Sequence, residues 1–150
     1  MKRPKERVKL WAMRIDHVAH ISRDPHATHL FYKGILGLKL VQAYSGRELM
    51  LVYALPDGGS LVFTAAKESV PIPVDDVPWE RRHVGLTLAT RVEFESWLQR
   101  LREHGVRHRL LDDERIYFSA PDGLVLELEV ASPMAADPAA EEVLARWPRD

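Results

Sequence analysis

The sequence predicts an α+β fold made of two βαβββ modules in tandem. Residues 82–88 alternate between bulky apolar side chains and small or polar ones, which is typical of a strand with one buried face. A His-Val pair opens this segment at His83, and another opens an earlier apolar segment at His17. The turn Pro-Asp-Gly also occurs twice, at 56–58 and 121–123. Because a module's single helix covers only one face of its sheet, we expect the two modules to form a shared, partly open mixed sheet around a cavity.

The first module is predicted over residues 13–65. Asp24 followed by Pro25 has the pattern of a helix N-cap and first helical residue, and Gly37 is a typical helix end. The helix is expected to bury Ala27, Leu30, Phe31 and Ile35. One strand before it and three after it are predicted at 13–22, 38–44, 48–55 and 60–65.

The second module is predicted over residues 81–131 and repeats this order. Thr90 and Glu93 have the spacing of a capping box, so a helix should begin there and end near Gly105. The strands are predicted at 82–89, 106–111, 115–120 and 124–130. Residues 66–80 contain Pro71, Pro73 and Pro78, which predicts a linker. Residues 1–12 are expected to be an N-terminal extension, and residues 132–150 a C-terminal tail with a short helix.

The composition limits the classes of partner. Hydrophobic residues make up 46% of the 150 residues, as in a globular protein, and the formal net charge of −1 gives no basis for nucleic-acid or membrane-surface binding. The chain has no cysteine, which excludes disulfides, thiolate ligands and a cysteine nucleophile. No apolar run approaches the roughly 20 residues of a membrane span, and no secretory signal is evident. We expect a cytoplasmic protein with a small-molecule partner.

Four segments occur in an order that indicates a family. They are 16–19 (DHVA), 31–41 (FYKGILGLKLV), 82–86 (RHVGL) and 117–128 (YFSAPDGLVLEL). In these segments the chain resembles the vicinal oxygen chelate superfamily over roughly residues 13–131. This superfamily includes glyoxalase I, bleomycin- and fosfomycin-resistance proteins, methylmalonyl-CoA epimerase and extradiol dioxygenases. The resemblance implies a homodimer, in which the modules pair either within one chain or between two chains.

The resemblance also implies a metal site. The superfamily's four ligand positions correspond to His17, Phe63, His83 and Glu127 when the last strands of the modules are aligned with one extra residue, Gly59, in the first. Phe63 cannot ligate a metal and is expected at the substrate. Two imidazoles and one carboxylate are the ligands of a non-haem Fe(II) facial triad, so Fe(II) is favoured, with Mn(II) or Zn(II) as alternatives. Glu129 is a competing carboxylate beside Glu127.

The predicted function is therefore an Fe(II)-dependent, extradiol-type dioxygenase acting on a catechol-like substrate. Tyr117 lies where extradiol relatives have a tyrosine near the substrate, and its hydroxyl is a candidate for proton transfer. Two alternatives stay open: a glyoxalase- or epimerase-like isomerase or lyase, and a bleomycin-resistance-type binding protein without catalysis. The sequence does not decide whether the protein is an enzyme, and it assigns no role to His20, His104 or His108.

Overall fold

The computed structural model of the protein describes residues 14–66, 77–132 and 134–148. It contains two four-stranded mixed sheets, and the elements of each module occur along the chain in the order βαβββ. The predicted tandem α+β fold is therefore confirmed. The predicted extension at residues 1–12 and residues 67–76 of the predicted linker lie outside the described residues. No helix in the described ranges is long and apolar enough to cross a membrane.

The first module closely follows the predicted order. Its elements are β1 (His17–Ile21), α1 (Pro25–His29) with a π-helical continuation (Leu30–Ile35), β2 (Lys39–Ser45), β3 (Glu48–Ala54) and β4 (Ser60–Ala66). The predicted cap is present, because the Asp24 carboxylate accepts hydrogen bonds from the backbone N–H groups of His26 and Ala27.

The buried face of this helix differs in phase from the predicted one. Ala27 and Leu30, which the sequence predicts to be buried, are exposed, and Leu30 is 70% exposed. The buried residues are Thr28, Phe31, Tyr32 and Leu36, which still follow a helical period. Phe31 is buried as predicted.

The second module begins after a short turn that the sequence did not predict. This 3₁₀ turn (Trp79–Arg81) lies in the predicted linker. It is followed by β5 (Val84–Leu88), α2 (Arg91–Glu103), β6 (His108–Leu110), β7 (Arg115–Ser119) and β8 (Val125–Val130), with a short α3 (Ala140–Ala145) in the tail. The predicted capping box is present, since Thr90 and Glu93 exchange side-chain to backbone hydrogen bonds.

Each sheet has two different faces. The strand orders are β1-β4-β3-β2 and β5-β8-β7-β6, with β1 parallel to β4 and β5 parallel to β8. We call the face that packs on the helices the helix-side face and the opposite one the outer face. The helix-side faces of both sheets contribute to one hydrophobic core, in which Phe31 and Phe118 have ring centroids 6.4 Å apart.

Polar contacts also join the modules. The His20 imidazole contacts the Asp122 carbonyl at 2.9 Å, and the Arg23 N–H donates to the Asp122 carboxylate at 3.0 Å. On the helix side, the Arg100 guanidinium donates to the carbonyl of Gly34. Because the modules pack through their helix-side faces, the two outer faces point away from the shared core. Within the described part of one chain, no strand of one sheet pairs with a strand of the other.

Candidate metal and substrate site

The outer face of the second module carries most of the chemistry-bearing side chains. Alternation along each strand brings these residues to one side of the sheet. They are His83, Gly85 and Thr87 at β5, Val125, Glu127 and Glu129 on β8, Arg115, Tyr117 and Ser119 on β7, and Arg109 on β6.

His83 and Glu127 form a direct pair on this face. Nε2 of His83 lies 2.9 Å from Oε2 of Glu127, and Nδ1 lies 2.9 Å from the carbonyl oxygen of Trp79. A carbonyl oxygen only accepts, so Nδ1 carries the hydrogen and donates it to Trp79. In the neutral imidazole, Nε2 then presents a lone pair to a carboxylate. Two lone-pair donors at this distance need a positive charge between them, either a proton or a metal ion.

The pair fits a metal ion. Two ligand atoms that each lie ~2.1 Å from a metal at a right angle to one another are about 3.0 Å apart. The observed 2.9 Å matches this spacing. A metal-binding histidine commonly donates its other ring N–H to an oxygen, as His83 does to Trp79.

The environment of Glu127 is set by its strand neighbours. It is 7% exposed, and a carboxylate this buried usually has a charged partner. Gly85 is its register partner on β5, and a Cβ built there would lie 3.9 Å from Oε2. Glu129 shares the face two residues further along, but it is Glu127 that contacts His83.

Tyr117 is the register partner of Glu127 on the other side, on β7. Its ring centroid lies 4.9 Å from that of His83, and the residue is 5% exposed. Burial raises the pKa of Tyr117, and the carboxylates of Glu127 and Glu80 raise it further. The hydroxyl therefore stays protonated at neutral pH and is available as a hydrogen-bond donor.

His17 lies on the outer face of the first module, in register with Ser60. Its side chain is 54% exposed, and its Nδ1 lies 2.9 Å from the Asp16 carboxylate. This hydrogen bond lowers the pKa of Asp16. As at His83, an oxygen holds Nδ1 and leaves Nε2 for another partner. Across the described residues no group of three potential ligands comes together, so one chain does not bring His17 to His83 and Glu127.

The structure corrects the position assigned to Phe63. In the first sheet Val18 pairs with Leu61, and in the second the equivalent Val84 pairs with Leu126. The residue equivalent to Glu127 is therefore Val62, and no extra residue is present in the first module. A shift of one residue moves a side chain to the other face of a strand.

Phe63 accordingly lies in the core and not beside the substrate face. It is 2% exposed, and its ring centroid lies 4.2 Å from that of Tyr32 and 5.8 Å from that of Tyr53. Val62, which occupies the position equivalent to Glu127, has no side-chain atom that can ligate a metal.

The histidines without a predicted role make structural contacts. Nδ1 of His104 contacts the carbonyl of Arg100, and Nδ1 of His108 contacts that of Val106, at the end of α2 and the start of β6. His20, in addition to its contact with Asp122, lines a cavity of about 280 Å³ together with His83. This cavity opens at the edge of the second sheet, where β5 and β8 begin.

Trp79 is the residue of this site that sequence reasoning missed. It is 9% exposed and packs with Tyr117 and Val125 in a small hydrophobic cluster on the outer face. Its carbonyl orients His83, four residues later in the chain. The sequence offers one signal for this role. A tryptophan follows the prolines of the predicted linker and precedes the second His-Val strand, and a linker has no need of such a large apolar side chain.

Sequence comparison identifies the family. The family described as the Glyoxalase/Bleomycin resistance protein/Dioxygenase superfamily matches residues 14–128. The chain belongs to this superfamily. The match includes the first module, the second module as far as Leu128, and the residues His17, His83, Tyr117 and Glu127. No curated protein sequence matches the chain significantly.

Solved structures with the same fold come from several functional groups. A glyoxalase family protein from Enterococcus faecalis is 22% identical with a TM-score of 0.64, covering 79% of this chain and 98% of its own. The antibiotic-binding protein TnmS3 from Streptomyces sp. CB03234 is 22% identical with a TM-score of 0.62, covering 80% and 97%. A mutant of the fosfomycin resistance protein FosX from Listeria monocytogenes, complexed with Mn(II) and 1S,2S-dihydroxypropylphosphonic acid, is 15% identical with a TM-score of 0.61, covering 79% and 93%.

Proposed function

We propose that the protein is a divalent-metal enzyme whose ligands are His83 and Glu127 of one chain and His17 of a second copy. The observation that carries the proposal is the hydrogen-bond pattern of His83. Trp79 holds Nδ1, and Nε2 faces the Glu127 carboxylate at 2.9 Å, the spacing of two ligands on one metal.

A second copy is needed because, among the described residues, one chain does not bring His17 together with His83 and Glu127. In a two-fold symmetric dimer, the first module of each chain can meet the second module of the other, which gives two identical sites. His17 suits this role, since Asp16 holds its Nδ1 and leaves Nε2 exposed on the outer face. The homodimer and the exchange of modules are both part of the proposal.

The ligand set favours an oxygenase. Val62 leaves the fourth position without a ligand, so the site has two histidines and one carboxylate, the set that holds non-haem Fe(II) with open positions. A bound metal supplies Lewis-acid chelation of two neighbouring substrate oxygens. Tyr117, protonated at neutral pH, donates a hydrogen bond to one of these oxygens. Trp79 and Tyr117 shield the site from water. The reaction that fits best is extradiol-type dioxygenation of a catechol-like substrate.

A second candidate, binding without catalysis, is supported by the aromatic cover. Trp79, Tyr117 and Val125 pack together in an apolar cluster, and a ring-containing ligand would pack beside it. TnmS3, an antibiotic-binding protein, shares the fold. A binding protein of this kind has no need for the His83–Glu127 pair, so the enzyme is the better-supported reading.

Metal content tests the proposal directly. Protein prepared with Fe(II), Mn(II) and Zn(II) available is expected to bind close to one ion per chain. His83→Ala and Glu127→Gln should lose the metal, while His104→Ala, which removes a histidine with a backbone contact only, should keep it. A folded protein without metal would contradict the enzyme proposal and favour binding alone. Oxygen uptake with a catechol, compared with isomerisation of a hemithioacetal, separates oxygenase from glyoxalase-like chemistry.

A further inference from the structure

We propose that the outer face of the second module also contains a carboxylate-binding subsite centred on Arg109. The substrate would then be a flat, oxygen-chelating ligand that carries a carboxylate on a short arm. The chelating end of this ligand rests on the proposed metal site, whereas the carboxylate end rests on a separate set of contacts.

The register of the sheet places the subsite in line with the metal ligands. Arg109 on β6 pairs with Tyr117 on β7, Tyr117 pairs with Glu127 on β8, and Glu127 pairs with Gly85 on β5. A cation, an aromatic ring, a carboxylate and a glycine thus form one row across the sheet. Neighbouring strands lie about 5 Å apart, so the backbones of Arg109 and Glu127, which are two strands apart, are separated by roughly 10 Å, a distance that a ring with a short arm can span.

Aromatic contacts hold the Arg109 guanidinium over this row. Its Cζ lies 5.7 Å from the Tyr117 ring centroid and 5.9 Å from that of Trp79. His83 also contacts Tyr117, and the centroids of the two rings are 4.9 Å apart. A ring placed beside Tyr117 would have its chelating oxygens towards His83 and its opposite substituent towards Arg109.

A carboxylate of the protein already contacts Arg109. Glu80, on the Trp79–Arg81 turn, accepts a hydrogen bond from Nη2 of Arg109. The two side chains are 44% and 49% exposed, and ion pairs of this exposure are weak. A ligand carboxylate that gains ring contacts as well can therefore replace Glu80. Planar guanidinium groups bind carboxylates in a bidentate manner, which a lysine cannot reproduce.

The test compares two ligands that differ only at the arm: a catechol with a carboxymethyl group and the same catechol with a methyl group. Dissociation constants are measured by quenching of tryptophan fluorescence in the metal-loaded and the metal-free protein. In the metal-loaded wild type the carboxylate ligand is expected to bind about tenfold more tightly, because a hydrogen bond between charged groups has this effect.

Two substitutions at the subsite should act in opposite directions. Arg109→Gln should remove the preference and leave binding of the methyl ligand unchanged, while Glu80→Gln should increase the preference by removing the competing carboxylate. Arg91→Gln, which removes a surface arginine of α2 that pairs with Glu95, is the matched control and should leave it unchanged. An undiminished preference in Arg109→Gln, or a reduced one in Glu80→Gln, would show that the arginine and the rings are only a packing cluster.

The same measurements separate this inference from the proposed function. If His83→Ala retains metal but Arg109→Gln loses the carboxylate preference, the metal site is wrong and the subsite stands. If metal binding depends on His83 and both ligands bind equally, the metal site stands and the subsite is refuted.

Discussion

Complementation between two inactive variants tests the exchange of modules between chains. His17→Ala removes a ligand from the first module, and His83→Ala removes one from the second. If each site combines the first module of one chain with the second module of the other, either variant alone loses both sites of the dimer. A mixed dimer has one site lacking both histidines and one site with all three ligands intact.

The expected recovery follows from the symmetry of the dimer. After co-refolding of equal amounts, half of the dimers are mixed and half of their sites are intact, so about a quarter of the wild-type metal content should return. Oxygen uptake with a catechol should recover to the same fraction. Metal content is measured per chain after dialysis, with the variants alone giving the baseline.

A mixture of His83→Ala and Glu127→Gln is the control. Both substitutions lie in the second module, so no combination of chains restores a complete site, and neither metal nor activity should return. Recovery in this control would show that the assay detects something other than the proposed site. The absence of recovery with His17→Ala and His83→Ala would refute the exchange of modules, because a mixed dimer would then not have rebuilt a complete site.

Further predictions concern residues in and beside the core. Phe63→Ala should lower the free energy of unfolding in urea by about 3–5 kcal/mol, and Val62→Ala should lower it much less; metal content per folded chain should be unchanged in both. Tyr32 is fully buried and its hydroxyl has no hydrogen-bond partner among the described residues, so Tyr32→Phe should stabilise the protein by about 1 kcal/mol in the same assay. Burial raises the pKa of Tyr32 and of Tyr117, so the folded state favours their neutral forms. Unfolding free energy should therefore fall as pH rises above about 10, and less steeply in Tyr32→Phe; a parallel pH profile for this variant would contradict the assignment.

Much of the fold is predictable because local signals and the global arrangement agree. Asp24 and Thr90 start the two helices in the sequence and in the structure, since capping depends on residues only a few positions apart. The alternation of side chains along a strand predicts that His17 and His20 lie on opposite faces of β1, as they do in the structure. The phase predicted for the buried face of the first helix is wrong. Ala27, Leu30 and Phe31 fit a helical period as well as Thr28, Phe31 and Tyr32 do, so the period alone does not show that the second set is buried.

The site is predictable only in part, for two physical reasons. The pairing of β1 with β4 is parallel and joins strands that are distant in sequence, so the sequence does not show which residues are opposite one another. Alignment of the two repeats by residue type placed Phe63 at the position that Val62 occupies. The role of Trp79 depends on a main-chain carbonyl, which every residue possesses, so no residue type marks it. Contacts between the modules depend on how the shared core packs, so the sequence of one module does not predict them.

The duplication explains why the site is divided between unequal halves. Both modules keep a histidine at the same place with Nδ1 held by an oxygen, from Asp16 in one case and from Trp79 in the other. Only the second module adds a carboxylate, because the first has Val62 where the second has Glu127. The first module can therefore contribute one ligand and the second two. A pair of first modules would supply two histidines and no carboxylate, and a pair of second modules would supply two of each. The proposed set of two histidines and one carboxylate therefore corresponds to one module of each kind. Since the proposed carboxylate subsite at Arg109 also belongs to the second module, substitutions in the first module should affect metal binding without altering the preference for a carboxylate ligand.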